Sequence, residues 1–281
     1  MPIGKSITIF LIDGVPEGRL SGELSNWTGK AIKIPRRLLK ESAQREELSR
    51  TGVYFLFGKD ENNPEGSSVY IGEGEDVYKR LLQHQKWDFW TEAVVLVSKD
   101  ENLNKAHIKY LESSLYNLAS KAKRYTIKNA NITSYSAISE LEKASMIEFI
   151  ENLKILINTM GFKLFEPLTG IPGKRGQHFF IKATRGANAK ALLTSEGIVV
   201  IQGSEIAASF TPSAPKHAKM LRQKLVDQGI IIQKGEKWCF FRDHLFSSPS
   251  TAANVVMGKS ANGRIQWKDK NGRSLKDLEE L

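Results

Sequence analysis

Four side chains in the first half of the chain suit the hydrolysis of a phosphodiester bond. They are two tyrosines, an arginine and a glutamate: Tyr54, Tyr70, Arg80 and Glu112. That reaction needs a nucleophile, a means to neutralise negative charge on the transition state, and help for the leaving oxygen. Each residue alone also fits a structural role, because tyrosine favours strands and charged helical residues are mostly exposed. The four are therefore considered as a set.

Glu112 is the candidate metal ligand of this set. A lone carboxylate can hold one Mg²⁺ or Mn²⁺ ion, with water and substrate phosphate completing the coordination shell. The residues one helical turn away, Ile108 and Tyr116, are not charged. A charged side chain between uncharged neighbours on one helix face is unusual, and binding of a metal ion would explain it. The alternative is a partly buried glutamate that is hydrogen-bonded to a tyrosine.

Arg80 and the tyrosines fit the remaining roles. The planar guanidinium of Arg80 can bind two phosphate oxygens at once and stays charged, and Lys79 and His84 are expected to add positive potential nearby. Free tyrosine has a pKa near 10, so only about 0.1% is phenolate at neutral pH unless a cation lowers that pKa. We hypothesise that Tyr70 accepts the proton of the attacking water and that Tyr54 orients this water.

The elements that must position these residues can be predicted from composition and periodicity. Two runs rich in aromatic and β-branched residues predict a hairpin, and apolar residues at helical spacing predict two helices. The predicted order is strand Gly52–Phe57, loop Lys59–Ser67, strand Ser68–Gly72, helix Asp76–His84, strand Thr91–Val97 and helix Leu103–Lys123. This order favours a small sheet with helices packed on it, which is an α+β fold.

The two strands of the hairpin carry short motifs, Gly52-Val53-Tyr54 and Tyr70-Ile71-Gly72, that resemble the paired motifs of the GIY-YIG nucleases. Arg80, His84 and Glu112 follow at distances compatible with that family. The resemblance implies that the two tyrosines, the arginine and the glutamate form an active site. We add the histidine to this set as a catalytic candidate.

The resemblance covers about Thr51 to Asn131, less than a third of the chain, and departs from the family pattern in two places. The predicted hairpin loop is longer than usual in the family. In addition, an asparagine that often assists in the family has two candidates here, Asn129 and Asn131. We prefer Asn129 as the catalytic one.

Composition limits the class of protein. The chain has 281 residues, 41% of them apolar, and a net charge of +10. This length predicts about two domains, and the positive charge favours nucleic acid or an anionic membrane surface as a partner. A single cysteine, Cys239, excludes an internal disulfide and fits a reducing cytoplasm. The N-terminal apolar run Ile7–Ile12 is too short for a signal peptide or a membrane span, so we expect a cytoplasmic protein without a membrane partner.

The positive charge lies almost entirely in the last part of the chain. Residues 1–172 contain 23 basic and 22 acidic residues, whereas residues 173–281 contain 18 and 9. A predicted helix, Ala137–Met160, and a stretch of prolines and glycines, Pro167–Gly173, separate the two parts. The predicted segments are an N-terminal extension of a strand plus a helix (1–50, with the helix at Arg36–Ser49), the nuclease-like domain (51–135), a helix and linker (136–172), and a basic domain (173–281).

The basic domain is predicted to bind nucleic acid through a basic amphipathic helix, Pro215–Gln228, and through aromatic residues that can stack on bases. Its sequence from Phe246, Phe-Ser-Ser-Pro-Ser-Thr-Ala-Ala, and the later Asn-Gly-Arg-Ile-Gln-Trp resemble an uncharacterised domain that is often joined to GIY-YIG nucleases and to restriction–modification proteins. The candidate nucleic-acid contacts in the whole chain are Lys79, Lys216, Lys219, Arg222, Lys259 and Arg264.

Together these features predict an endonuclease that cuts DNA with one Mg²⁺ or Mn²⁺ ion held by Glu112 and uses no small-molecule cofactor. The basic domain would tether or select the substrate, in the restriction of foreign DNA, mobile-element biology or repair. A homodimer is an option, since one small site cuts one strand at a time. Two alternatives stay open: a non-catalytic nucleic-acid-binding protein that keeps the nuclease frame, and a regulatory protein whose basic domain binds protein.

Overall fold

The computed structural model describes residues 4–60, 63–130, 136–168 and 177–280. The chain divides into two compact units, Met1–Glu166 and Pro167–Leu281. Each unit combines one sheet with helices, so the predicted α+β class is confirmed. The predicted helix before the linker belongs to the first unit, and most of the predicted linker lies outside the described residues.

The first unit is built on a seven-stranded sheet with the strand order β1-β2-β3-β6-β4-β5-β7. Its neighbouring strands are antiparallel, except that β5 and β7 are parallel. The strands are β1 (Ile7–Leu11), β2 (Leu20–Leu24), β3 (Gly29–Pro35), β4 (Gly52–Asp60), β5 (Asn63–Gly74), β6 (Trp90–Ser98) and β7 (Thr126–Ile127). The motif-bearing strands β4 and β5 are therefore direct neighbours.

Helices cover both faces of this sheet. They are α1 (Val77–Gln83), α2 (Lys105–Ala122) and α3 (Glu140–Thr159). Alternate residues of a strand point to opposite faces. Val53 and Phe55 accordingly pack in the core that includes residues of α2 and α3, whereas Tyr54 packs in the core that includes residues of α1. Tyr54 is completely buried there.

The elements predicted around the tyrosines are confirmed, with one correction. The Asp76 side chain caps α1 by accepting a hydrogen bond from the Lys79 backbone N–H at 3.0 Å. The predicted long loop between the motifs is wrong, because β4 continues to Asp60 and β5 begins at Asn63. Backbone pairing does not require apolar side chains, so the polar composition of this stretch concealed two strand extensions.

The predicted N-terminal extension of one strand plus one helix is also wrong. Residues 1–50 supply three strands of the sheet, β1 to β3, followed by three short 3₁₀ helices at Arg36–Leu38, Lys40–Ser42 and Glu46–Ser49. Leu39 and Leu48 are both fully buried in the core on the Tyr54 side of the sheet. A continuous α-helix would place these two residues on opposite faces, because they are nine positions apart at about 100° each. The three short 3₁₀ helices, with changes of direction between them, allow Leu39 and Leu48 to reach the same core.

The second unit has its own sheet, with the strand order β12-β13-β11-β9-β10-β14 and β8 paired to β9. Its strands are β8 (His178–Lys182), β9 (Asn188–Thr194), β10 (Gly197–Val200), β11 (Glu205–Ile206), β12 (Ile231–Lys234), β13 (Lys237–Phe240) and β14 (His244–Phe246). Its helices are α4 (Lys216–Asp227), α5 (Pro249–Met257), α6 (Gly263–Gln266) and α7 (Leu275–Glu279). Trp267, the residue that follows α6, is fully buried in the core of this unit. Within the described ranges, no helix is long and apolar enough to cross a membrane.

Candidate active site

Three of the predicted site residues meet on the α1 side of the first sheet. The Tyr54 hydroxyl lies 2.7 Å from Nε2 of His84, the residue that follows α1. The ring centre of Tyr70 lies 6.2 Å from that of Tyr54 and 5.1 Å from that of His84. Tyr54 and Tyr70 come from neighbouring strands, and α1 brings the histidine over both. The three form a continuous aromatic and hydroxyl-bearing cluster.

The motif glycines make this arrangement possible. Gly72 on β5 lies directly opposite Tyr54 on β4. A Cβ atom at Gly72 would lie 2.4 Å from both Cζ and Oη of Tyr54, so the tyrosine ring occupies the space that a side chain would need. A Cβ at Gly52 would lie 2.4 Å from the Leu96 carbonyl oxygen on β6. Both glycines are therefore required by packing.

Arg80 and Glu112 lie beside the tyrosine pair. Burial raises the pKa of Tyr54, the neighbouring Tyr70 raises it further, and the charge and hydrogen bond of Arg80 oppose the rise. Burial and then the charge of Glu112 raise the pKa of Tyr70. Arg80 is exposed and donates a hydrogen bond to Gln83 Oε1 at 2.8 Å, whereas Glu112 is half-buried. A cation and a carboxylate thus flank two neutral phenols.

His84 is neutral at physiological pH. Burial lowers its pKa to about 4, and the positive charges of Arg80 and Lys86 contribute. The ring packs against Trp87, with the two centres 4.2 Å apart, and Trp90 Nε1 donates a hydrogen bond to the His84 carbonyl at 2.9 Å. The prediction that His84 adds positive potential is therefore wrong, because a buried imidazole next to two cations does not hold a proton.

Acid is expected to destabilise the first unit through His84. Its pKa is about 4 in the folded protein against 6.5 in the unfolded chain, so only the unfolded state takes up a proton between these values. The stability contributed by the neutral ring is complete above pH 6.5 and is lost as the pH falls towards 4, by about 3 kcal/mol. Urea unfolding followed by circular dichroism between pH 7 and 4.5 measures this loss.

His84→Gln is expected to lose less stability over the same pH range, since glutamine does not titrate there. His217→Gln provides a matched control, because His217 is exposed on α4. An equal loss in the wild type and in His84→Gln would contradict the assignment.

The side chain of Asn129 is hydrogen-bonded to the backbone of β5, the strand that pairs with β7. Its side-chain Oδ1 accepts a hydrogen bond from the Ile71 N–H at 3.1 Å, and its Nδ2 donates one to the Ile71 carbonyl at 2.7 Å. Both halves of the amide are thus engaged by the residue between Tyr70 and Gly72. Asn129 fixes the second motif strand, and Asn131 lies outside the described residues.

A basic groove lies next to the site and was not predicted. Its volume is about 710 Å³, and no carboxylate is among its lining residues, which are Pro35, Arg36, Arg37, Lys40, Gln85 and Thr91. Arg36 donates hydrogen bonds to the carbonyls of Gln85 and Trp87, both at 2.6 Å. Gln85, which lines the groove, follows His84 directly in the chain. The groove therefore adjoins the end of α1 that carries His84.

A divalent ion at this site would need ligands beyond the protein's own side chains. Among the described residues, no group of three or more His, Cys, Asp or Glu side chains could hold a metal on its own. Mg²⁺ needs only one or two carboxylates when water and substrate phosphate supply the other oxygens. Glu112, whose charge raises the pKa of both Tyr54 and Tyr70, could supply that carboxylate.

The candidate nucleic-acid contacts have different environments. Lys216 and Lys219 are exposed on α4, and Lys259, just after α5, is half-buried. Lys79 and Arg264 form ion pairs, with Asp76 and Glu279 respectively. Arg222 is buried, contrary to its expected place on the exposed face of the basic helix.

Comparison with known proteins identifies part of the second unit. Residues 179–279 match a family described as a domain of unknown function (DUF4357), as expected for an uncharacterised domain in this region. The resemblance of the first unit to GIY-YIG nucleases has no such match and stays a prediction. The searches of curated proteins and of solved structures returned no match.

Proposed function

We propose that the first unit is a divalent-metal-dependent endonuclease that hydrolyses DNA phosphodiester bonds. The observation that carries the proposal is the meeting of Tyr54, Tyr70, Arg80, His84 and Glu112 around one cluster, although they come from four separate parts of the fold. Packing alone does not require a cation, a carboxylate and two phenols at one place. Phosphodiester hydrolysis does require such groups.

In this proposal the two charged residues divide the electrostatic work. Glu112 would hold one Mg²⁺ or Mn²⁺ ion, which supplies Lewis-acid stabilisation of charge on the phosphate when it is bound. Arg80 is exposed and can present a planar pair of donors to two phosphate oxygens. Its hydrogen bond to Gln83 orients the guanidinium, and the absence of a side chain at Gly74 leaves room for its Cγ atom.

The tyrosines and His84 would handle the proton of the attacking water. Tyr70 is half-buried, whereas Tyr54 is fully buried, so Tyr70 is the tyrosine that water reaches. A raised pKa makes an isolated phenolate unfavourable at either residue. The hydroxyl of Tyr54 is hydrogen-bonded to Tyr70 and lies 2.7 Å from Nε2 of the neutral His84, so Tyr54 and His84 would orient the Tyr70 hydroxyl towards the attacking water. Asn129 would act as a positioning residue that holds Ile71 between the motif residues.

Substrate capture would involve both units. The first unit is nearly neutral overall, yet the groove beside His84 is lined by Arg36, Arg37 and Lys40. A strand leaving the cluster could place its neighbouring phosphates along Arg37 and Lys40, since the guanidinium of Arg36 is engaged with backbone carbonyls and with Asp88. The second unit carries most of the excess positive charge of the chain and would tether or select the DNA.

The direct test is cleavage of supercoiled and linear DNA by the full chain. Cleavage is expected with Mg²⁺ or Mn²⁺ and none with EDTA, because the ion would stabilise the negative charge that develops on the phosphate. Tyr70→Phe removes the first proton acceptor and is expected to lower the rate by about 10²-fold or more. Gel electrophoresis of the products measures both effects.

Tyr78→Phe serves as the control, since Tyr78 is a half-buried tyrosine on α1 for which no part in the cluster is proposed. Cleavage that persists in EDTA would remove the metal from the proposal. Undiminished cleavage by Tyr70→Phe would remove Tyr70 as the base.

A further inference from the structure

The second unit contains a buried arginine with an unsatisfied donor. Arg222 on α4 is only 6% exposed. Within the part of the chain that the structure describes, its Nη1 has no hydrogen-bond partner. Burial lowers the pKa of Arg222 to about 10, so the guanidinium is still charged at neutral pH. A buried charge of this kind is unfavourable unless something pairs with it.

Two aromatic rings cover this guanidinium without satisfying its donors. Cζ of Arg222 lies 5.0 Å from the ring centre of Phe210 and 6.0 Å from that of Trp238. A cation over an aromatic face is held by the charge distribution of the ring and not by hydrogen bonds. The N–H donors of the guanidinium lie in its own plane, so the ring contacts leave Nη1 without an acceptor among the described residues.

The surroundings of Arg222 favour an anion. Lys219 lies one helical turn before it, and Lys216 one turn earlier on the same helix, and both are exposed. Among the described residues, no carboxylate forms an ion pair with any of these three cations. Phe210 and Trp238 are only half-buried, whereas Arg222 beneath them is buried, so an anion would reach the guanidinium by shifting these rings. A water molecule could accept one hydrogen bond there but could not neutralise the charge.

We propose that Arg222 is the centre of a phosphate-binding site in the second unit, which takes a phosphate group of a nucleic-acid strand. A planar guanidinium matches two phosphate oxygens, and Lys219 adds a point charge beside it. The half-exposed rings of Phe210 and Trp238 provide faces on which an unpaired base can stack. This site would act whether or not the first unit cuts DNA.

The test compares full-length wild type, Arg222→Met and Lys234→Met, in which an exposed lysine at the end of β12 is the control. Thermal unfolding is measured in inorganic phosphate and in chloride at equal ionic strength. Binding of a labelled single-stranded oligonucleotide is measured by anisotropy over a range of salt. Phosphate is expected to raise the melting temperature of the wild type and of Lys234→Met by roughly 3 °C and to leave Arg222→Met unchanged.

Arg222→Met is expected to bind the oligonucleotide about tenfold more weakly. The slope of log affinity against log salt should fall by about 0.7, which corresponds to one lost phosphate contact on a single strand. Arg222→Met in chloride should melt no lower than the wild type, since it removes a buried unpaired charge. Arg222→Lys keeps the charge but loses the planar pair of donors, and should recover only part of the affinity.

Three results would overturn the site. Arg222→Met could melt several degrees lower in chloride, which would make the arginine structural. Phosphate and oligonucleotide could act equally on the wild type and on Arg222→Met, which would place the binding elsewhere. A response of the wild type to inorganic phosphate with unchanged oligonucleotide binding in Arg222→Met would refute a nucleic-acid strand as the ligand. If the first unit did not cut DNA, the effect of phosphate on the melting temperature, the oligonucleotide affinity and the salt dependence of that affinity would be unchanged.

Discussion

Replacing Glu112 by glutamine is expected to reduce DNA cleavage by at least about 10³-fold while leaving the fold intact. Glutamine has nearly the same volume and can still hydrogen-bond, but it lacks the negative charge that a divalent ion requires. The charge of Glu112 also raises the pKa of Tyr70, so the substitution should lower that pKa. Ultraviolet titration of the tyrosines tests this second effect, and plasmid cleavage tests the first.

Glu148→Gln on α3 is the matched control, because it removes the same charge from an exposed position of the same unit. DNA binding by Glu112→Gln should be equal to that of the wild type or tighter, since a negative charge near the phosphates has been removed. Full cleavage by Glu112→Gln would refute the proposal that Glu112 holds the metal ion. No cleavage by the wild type with any divalent ion, together with retained DNA binding, would favour a non-catalytic nucleic-acid-binding protein.

Gly72→Ala is expected to destabilise the first unit by about 2–3 kcal/mol and to abolish cleavage. The added Cβ would lie 2.4 Å from Cζ and Oη of Tyr54, and one of the two must move. The Tyr54 ring has no free space to enter, because it is fully buried and its hydroxyl is 2.7 Å from His84. Urea unfolding measures the loss of stability. A change in the tryptophan fluorescence of the folded protein, to which Trp87 beside His84 contributes, reports on the disturbed cluster.

Gly74→Ala and Gly4→Ala give a graded comparison. The closest neighbour of a Cβ at Gly74 would be Cγ of Arg80 at 2.6 Å, and a long exposed side chain can shift at small cost. A Cβ at Gly4 would meet nothing within 4 Å. The expected order of destabilisation is therefore Gly72→Ala, then Gly74→Ala, then Gly4→Ala. Equal effects of the first two would show that the Tyr54 contact is not what makes the glycine necessary.

The sequence predicted the cluster well because its parts are local. The runs of aromatic and β-branched residues in β4 and β5 and the helical spacing of Val77, Leu81 and His84 are each contained in a few neighbouring residues. These patterns were sufficient to predict the hairpin, α1 and the side of α1 that faces the sheet. The positions of Arg80 and Glu112 relative to the tyrosines depended on the resemblance to a family and not on any local rule.

What the sequence did not predict depends on contacts between distant residues. Strand β3 alternates weakly, and it is stabilised by pairing with residues of β6 that lie 57 to 69 positions away in the chain. The hydrogen bonds of Asn129 to Ile71 could not be inferred from composition, and the catalytic role of Asn129 stays a prediction. Arg222 followed the charge pattern of an exposed helical face, yet the rings of Phe210 and Trp238 bury it.

The place of β3 in the sheet determines how the first unit can be divided. It lies between β2 and β6 and pairs with β6 from Gly29 opposite Ser98 to Pro35 opposite Glu92. A protein fragment that began at Thr51 would leave the apolar strand β6 as an unpaired edge, which is a template for association with other chains. The motif-bearing residues therefore do not form a transferable module, and recombination that preserved the fold would have to carry the first fifty residues with them.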